Sequence, residues 1–500
     1  MSIGILHIIG IIMTIALIIG VGIYSGTKVS GDSDFSTGGQ SAGPWIVCGT
    51  IMGALVSGQA TIGTAQLAYL YGLSAWWFTL GSGIGCAILA WGYAKPMRQS
   101  GATTLMEVIA KEYGPRAEGL GSVLSSIGII ISIISQVVSA CALITTLFDV
   151  DKWLAITIAA VLMIIYVIFG GVWGAGMGGI VKLLLLYGVS IIGLFLVLMM
   201  TEGASGLLEL LDHTLLKTEI ASLYDITNKG DVSQQYMNLT ARGISKDVGS
   251  GISLVLGVLS TQTYAQAIWS AKTDDKARKG SLLAAFLIPP IGIACIAIGL
   301  FMRGHCITAE EMAQLTEMGK VIPQDLIQLD STAQVFPAFI VHYMPKLIGG
   351  VALGTLLITI VGGGAGLSLG VSVILVEDIL AKLSDKINDE RNKLIVTRVV
   401  IIVVLFAAAL IGGMASDAII NDMGFLSMGL RGAVVVLPFS CALFLKGRIK
   451  GEAVIASMIG GPVAVIAGNL IDLPFDPLFL GIAVNMICCL AGYRRTKEMG

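Results

Sequence analysis

The sequence predicts an all-α polytopic membrane protein of about thirteen transmembrane helices, arranged as two inverted five-helix repeats with discontinuous helices. Three observations carry this reading. Of the 500 residues, 55% are hydrophobic and only 12% charged, and the mean hydropathy is +0.89. Apolar stretches of roughly 17–25 residues, enough for a helix rising 1.5 Å per residue to cross about 30 Å of hydrocarbon, recur along the chain. Two of them, five spans apart, are interrupted by glycine, hydroxyl and amide residues. This composition excludes a soluble enzyme and a disordered scaffold.

The spans lie near 3–24, 44–70, 73–93, 119–147, 153–170, 180–200, 248–270, 281–302, 345–380, 397–414, 425–445, 452–470 and 477–493. They divide the chain into a first transmembrane helix and inner loop (1–43), a first five-helix repeat (44–200), an extracellular loop (201–247), a second repeat (248–445) and two C-terminal helices with a short inner tail (446–500). The run Ile3 to Tyr24 lacks a basic n-region and a small-residue cleavage site, so it is expected to remain as a helix. Glycine, at 64 residues, is about twice its usual share of roughly 7%, which suits close helix packing in a membrane. The segment Leu207-Leu208-Glu209-Leu210-Leu211 reads as an amphipathic piece at the membrane surface, and Asn238-Leu239-Thr240 matches a glycosylation sequon.

Basic residues fall in alternate loops: Lys95, Arg98, Lys111 and Arg116; Lys272, Lys276, Arg278 and Lys279; Lys382, Lys386, Arg391 and Lys393; Lys446, Arg448 and Lys450; Arg494, Arg495 and Lys497. The long stretches between them, 201–247 and 303–344, are dominated by Glu and Asp. By the positive-inside rule this predicts a multi-pass protein of the plasma or inner membrane, N-terminus outside and C-terminus cytoplasmic. Lys plus Arg (30) nearly balances Asp plus Glu (32), so no basic field exists to attract nucleic acid. The eight cysteines show no CxxC spacing, and the four histidines no HExxH pattern. No cofactor is implied, and nothing in the pattern specifies an oligomeric state.

Function in such proteins concentrates where a helix is broken. The second span carries Gly53-Ala54-Leu55-Val56-Ser57-Gly58-Gln59-Ala60-Thr61 and, further on, Gln66; the seventh carries Gly257-Val258-Leu259-Ser260-Thr261-Gln262-Thr263-Tyr264-Ala265-Gln266. Small residues alone could serve tight helix contacts. Gln59, Gln66, Gln262 and Gln266 are costly in hydrocarbon and point instead to a central polar cavity. Its expected lining is Ser57, Gln59 and Thr61, Gln136 of the fourth span, and Ser260, Gln262 and Thr263, with Tyr264 and Trp269 nearby.

These residues resemble the sodium:solute symporters, a family with typically thirteen helices and a leucine-transporter-like core. The resemblance covers nearly the whole chain: Asp34-Phe35 and Gly38-Gly39, Tyr71-Gly72-Leu73-Ser74, Thr104-Leu105 with Glu107, Tyr113-Gly114, Phe169-Gly170-Gly171, Gln266 followed by Ser270-Ala271-Lys272, and Glu377-Asp378. It implies transport by alternating access, with the solute held between the second and seventh spans. It also implies a sodium site, with carbonyls at Gly53, Val56 and Thr359 as available ligands and a Ser/Thr hydroxyl pair on the ninth span. In this sequence the pair falls on Gly362 and Gly363, which have no side-chain oxygen to offer a hard cation.

A second departure lies in the sixth span. Where the family has Thr-Asp followed by Gln, this chain reads Gly178-Gly179-Ile180-Val181-Lys182. Either the Lys182 ammonium stands in for the missing sodium, or Lys182 snorkels into the headgroups from its helix end. Arg431, in Gly429-Leu430-Arg431-Gly432-Ala433, is the other charge inside an apolar run. It either pairs with a solute carboxylate or gates the outer vestibule, or it forms a structural pair with Asp422 or Asp417.

The sequence therefore predicts a secondary active transporter, not an enzyme, that imports a small polar solute (a carboxylate, a zwitterion or a neutral compound) through the lipid bilayer, coupled to Na+ or H+. The alternatives are a sodium-independent facilitator and a transporter-like membrane sensor.

Overall fold

The computed structural model describes residues 3–26, 40–148, 150–213, 232–317, 319, 325–387, 389–414, 419–471, 473 and 475–494. Asp34-Phe35, Gly38-Gly39, Asp417, Arg495 and Lys497 lie outside the described residues, as do the side chains of Phe169-Gly170-Gly171.

The chain is an all-α polytopic membrane protein, with one short two-stranded ribbon outside the helices. Helix α1 (Ile5–Gly26) is followed by α2 (Pro44–Leu55), which stops at Val56. A π-helical turn, Gln59–Gly63, restarts the helix as α3 (Thr64–Tyr71). Gly72 then reverses the chain at φ +66°, where an added Cβ would stand 2.0 Å from the Tyr236 carbonyl oxygen. Helix α4 (Trp77–Ile88) continues through a second π turn into α5 (Ala94–Gln99). Next come α6 (Leu105–Tyr113), capped by the Thr104 hydroxyl, and α7 (Pro115–Leu147).

The predicted fifth and sixth spans merge into one helical element, α8 (Lys152–Met200). Its 49 residues would extend about 73 Å if straight, far more than one crossing. It bends sharply instead: the Tyr166 hydroxyl reaches within 2.6 Å of the point where a Cβ on Gly178 would sit, although twelve residues of straight helix would separate them by about 18 Å. The glycine-rich stretch around Gly176, Gly178 and Gly179 allows that bend without ending the helical hydrogen bonding.

Two short helices, α9 (Ala204–His213) and α10 (Val232–Tyr236), lead to the second broken helix: α11 (Ile244–Ser260) and α12 (Gln262–Ser270), separated at the extended residue Thr261. α9 contains the expected amphipathic segment. Helices α13 (Asp274–Leu287) and α14 (Pro289–Arg303) precede a small lid of β1 (Cys306–Thr308), α15 (Ala309–Glu317) and β2 (Ile327–Leu329), the strands running parallel. The chain finishes with α16 (Val335–Tyr343), α17 (Lys346–Leu375), α18 (Ala381–Leu383), α19 (Glu390–Met414), α20 (Ile420–Phe444), α21 (Gly451–Leu470) and α22 (Pro477–Ala491). Proline at the start of α2, α7, α14 and α22 occupies a first turn whose N–H has no helical partner in any case.

Among the described residues eight helices are long and apolar enough to cross a membrane, and four shorter apolar helices accompany them. The sequence predicted thirteen spans. The four shorter helices fall in the predicted spans near 3–24, 44–70, 153–170 and 477–493, α2 being cut short at its break, and the α11–α12 pair, divided at Thr261, is in neither group. Side chains such as Leu184, Ile191 and Phe195 on α8 and Val403 and Phe406 on α19 are largely exposed, as a lipid-facing surface requires.

The helix pairings are mirrored. α2 packs against α8 as α11 packs against α20, and α2 against α13 as α11 against α4. The closest approach is between α2 and α8, where a Cβ on Gly179 would lie 2.0 Å from the Gly49 carbonyl oxygen and one on Gly49 would lie 2.3 Å from the Gly176 oxygen. Only glycine fits such backbone-to-backbone contact. Gly179→Ala is therefore expected to destabilise the protein by about 3 kcal/mol. Gly92→Ala, at a position with nothing within 4 Å, should leave stability nearly unchanged; thermal melts of the two purified variants in one detergent make the comparison.

Candidate functional site

Breaking α2 at Val56–Gly58 and the α11–α12 pair at Thr261 strips backbone groups of their helical partners at membrane depth. The two breaks approach each other beside the glycine-rich middle of α17: Gly366 faces Ala54 and Thr263, and Gly370 faces Thr263. Thr263 donates its hydroxyl to the Gly366 carbonyl at 2.9 Å. One face of α7 closes the site with Ser132, Ser135, Gln136 and Ser139, all buried. The Gln136 Oε1 accepts the freed Gly58 N–H at 2.9 Å, and Gln59 Nε2 donates to Ser135 Oγ at 2.5 Å.

Lys182 projects into this break from α8. Its side chain is buried, and its Nζ donates to the Gly53 carbonyl at 2.5 Å and to the Thr359 carbonyl at 3.3 Å. These are two of the three carbonyls that the family resemblance implies as cation ligands, and Val56, the third, sits at the same break. The snorkelling alternative is not what the geometry shows. A Cβ on Gly362 would stand in ordinary contact with Lys182 Nζ at 3.7 Å, and one on Gly363 would run into Ser57 Cβ at 2.4 Å. The close approach of Ser57 thus requires the glycine at 363.

Several buried polar atoms around the break have no hydrogen-bond partner: Ser57 Oγ, Gln136 Nε2, Thr359 Oγ1, both amide atoms of Gln266, and Asn421 Oδ1. Buried polar groups are ordinarily paired, so a cluster of orphans marks where a polar ligand would be met. Other expected lining residues are already committed. Thr61 donates to the Ser57 carbonyl at 2.9 Å and Ser260 to the Leu256 carbonyl at 2.8 Å. Tyr264 is buried at the head of α12. Gln262 points to the basic-loop side, its Oε1 accepting the Leu105 N–H at 3.0 Å and its Nε2 donating to the Thr103 carbonyl at 2.9 Å. Trp269 donates to the Met97 carbonyl at 2.9 Å and also belongs to that side.

The site is tied shut at both ends. On the basic-loop side, besides Gln262 and Trp269, Arg98 pairs with Asp274 at 2.9 Å and also bonds the Ala271 carbonyl, while Ala42 and Ala271 form a backbone bridge. Asp378 accepts from Thr104 at 2.8 Å and Ser122 at 3.0 Å, and Lys382 pairs with Glu118. On the acidic-loop side, Gln66 donates to Thr332 Oγ1 at 2.9 Å and accepts the Ile420 N–H at 3.0 Å. There too Glu311 in the lid pairs with Arg303 at 2.5 Å and accepts the Tyr69 hydroxyl at 2.7 Å.

Arg431 is buried on α20 one turn along α7 from Gln136, with its Nη2 3.5 Å from Ser132 Oγ. Of the two acids offered as a structural partner for Arg431, Asp422 is paired with Arg242 at 3.0 Å and Asp417 lies outside the described residues. The serine stripe on α7 was absent from the expected lining, although the spacing of residues 132, 135, 136 and 139 places them on one helix face.

Comparison with known proteins bears on the family and the fold. Residues 35–461 match the model of the sodium:solute symporter family. The chain belongs to that family. Among curated relatives, this symporter-family protein is 25% identical over 486 residues to the human (Homo sapiens) high affinity choline transporter 1, covering 94% of this chain and 78% of that one. It is 23% identical over 472 residues to sodium/proline symporter 2 of Staphylococcus saprophyticus, covering 91% and 84%. Its fold matches the substrate-bound, outward-open structure of a Na+-coupled sialic acid symporter, with a TM-score of 0.76, 19% identity and 98% and 97% coverage. A nucleobase-cation-symport-1 family transporter in a closed conformation matches at a TM-score of 0.54, 12% identity and 91% and 93% coverage. The protein is a lipid-embedded secondary active transporter for a small molecule, not an enzyme.

The Gln262 clasp yields a test. Gln262→Leu removes two hydrogen bonds, from the Leu105 N–H and to the Thr103 carbonyl, worth about 1 kcal/mol each, so the Leu105 amide should exchange its hydrogen for deuterium roughly 30-fold faster in that variant than in the wild type.

Proposed function

We propose that this protein imports a small polar solute by alternating access, with the Lys182 ammonium in the place of a bound sodium ion and proton exchange at that ammonium as the coupling step. The observation that carries the reading is the reach of Lys182 Nζ to the Gly53 and Thr359 carbonyls across the broken α2. A fixed ammonium meets the same freed oxygens that a sodium ion would. Once water enters from the inner side, loss of its proton releases the carbonyls and weakens the hold of α8 on α2. Gly362 supports the reading because it places no side-chain oxygen beside Lys182, and Gly363 because a side chain there would crowd Ser57.

The surrounding architecture is read as thirteen crossings, with residues 44–200 and 248–445 forming the two inverted repeats, the N-terminus outside and the C-terminus cytoplasmic. The mirrored helix pairings, the turn at Gly72, the bend in α8 and the alternation of basic loops support it. The solute would be met by Ser57, Gln59, Gln136 and Gln266, with Thr61, Ser260 and Thr263 shaping the walls and Gln262 governing the inner opening. Amides and hydroxyls suit a carboxylate, a zwitterion or a neutral polar compound. The choline carried by the first relative and the proline carried by the second are candidates of two different charge types, and neither name decides for a chain about one quarter identical.

The experiment is a melting-temperature series in sodium, potassium and choline chloride at matched ionic strength across a range of pH. The wild type should melt alike in all three salts and respond to pH, and Lys182→Gln should lose the pH response. In the double variant Lys182→Ala with Gly362→Ser, an oxygen replaces the ammonium and sodium selectivity should appear. Sodium at ten times its dissociation constant would stabilise that variant by about 1.4 kcal/mol. A sodium-specific rise in the wild type overturns the replacement of the ion by Lys182.

A further inference from the structure

Arg431 has no exposed surface, and two of its three guanidinium nitrogens, Nε and Nη1, have no hydrogen-bond partner. The third, Nη2, contacts Ser132 Oγ at 3.5 Å and Met428 Sδ at 2.5 Å, neither of which carries charge. The acids that could answer it are engaged elsewhere: Asp247 and Asp422 with Arg242, Glu118 with Lys382, and Asp378 with two hydroxyls. Among the described residues Arg431 forms no ion pair. A buried guanidinium without a counter-anion is strongly unfavourable, so two buried, unpartnered nitrogens suit this position to receive an anion.

Its position says which anion. Ser132 and Ser427 share a hydrogen bond at 2.7 Å beside the guanidinium, and Ser135 donates to the Ser132 carbonyl at 2.8 Å and accepts from Gln59. Arg431 therefore lies at the end of the α7 face that carries Gln136 and borders the break, one helical turn or about 6 Å away. The orphaned Gln136 Nε2 and Ser57 Oγ wait at the other end of that distance. A halide would answer only one end.

We propose that Arg431 anchors the carboxylate of the transported solute, making it a small carboxylic acid or amino-acid-like zwitterion with a second polar group about three or four bonds from the carboxyl carbon. This rests on the transporter reading above and narrows its substrate class.

The test measures thermal shift and calorimetric binding on the purified protein with short hydroxy- and keto-acids, α-amino acids, the matched amides, choline chloride, and sodium chloride against sodium gluconate. A carboxylate should stabilise the wild type where its amide does not, and Arg431→Gln should weaken that binding about 100-fold. Without ligand, Arg431→Met should melt no lower than the wild type, since it removes an unpaired buried charge; a lower melt marks Arg431 as a structural ion-pair partner and overturns the proposal. Equal binding of choline or an amide by wild type and Arg431→Gln, protection by chloride alone, or no carboxylate-selective effect also overturns it while leaving the transporter reading intact. That reading fails separately, if proteoliposomes accumulate none of these solutes under any ion gradient.

Discussion

The Gly53 carbonyl governs this molecule. In an unbroken helix it would accept the N–H four residues on; here α2 ends at Leu55 and the oxygen is left facing the protein interior at membrane depth, where an unmet backbone group is costly. Lys182 meets it. The lysine can reach because α8 lies against α2 at glycine-to-glycine distance, and its ammonium lies beside Gly362 of α17. Break, close approach and absent side chain are separate sequence features that make sense only together.

The same economy of small residues runs through the rest of the core. In a bilayer, apolar side chains gain little by leaving lipid for protein, so helix association relies on close packing and on hydrogen bonds between helices. Here glycines set the spacing, and a serine and glutamine face on α7 supplies the bonds. The polar residues are consequently scarce and specific, and those left unpaired at the break stand out against the many hydroxyls that return to their own helix, as those of Thr61, Ser260 and Thr355 do.

Much of this was legible in the sequence, because hydropathy and span length report on lipid rather than on distant contacts. The two breaks were readable from glycine, hydroxyl and amide residues inside apolar runs, and Lys182 and Arg431 from charge where charge is expensive. The count of separate spans was less legible, since a glycine-rich bend such as that in α8 keeps helical hydrogen bonding through a stretch that hydropathy divides in two. Side-chain direction was harder still. Gln59 and Gln262 occupy corresponding places beside the two breaks, yet one bonds α7 within the site and the other clasps the N-terminus of α6. The partner of a long flexible amide depends on what the fold brings within a few ångströms, which a linear pattern does not record.

A cation that diffuses in with the solute leaves with it on the far side, and the membrane voltage does work on its charge, about 2.3 kcal/mol per 100 mV for one charge crossing the whole field. An ammonium bonded to α8 through four methylenes makes no such journey. Its charge shifts only as far as the helix carrying it, so voltage has little grip on that part of the cycle. On the reading proposed above, the driving force would come from the solute and an exchanged proton, and transport would need no sodium gradient.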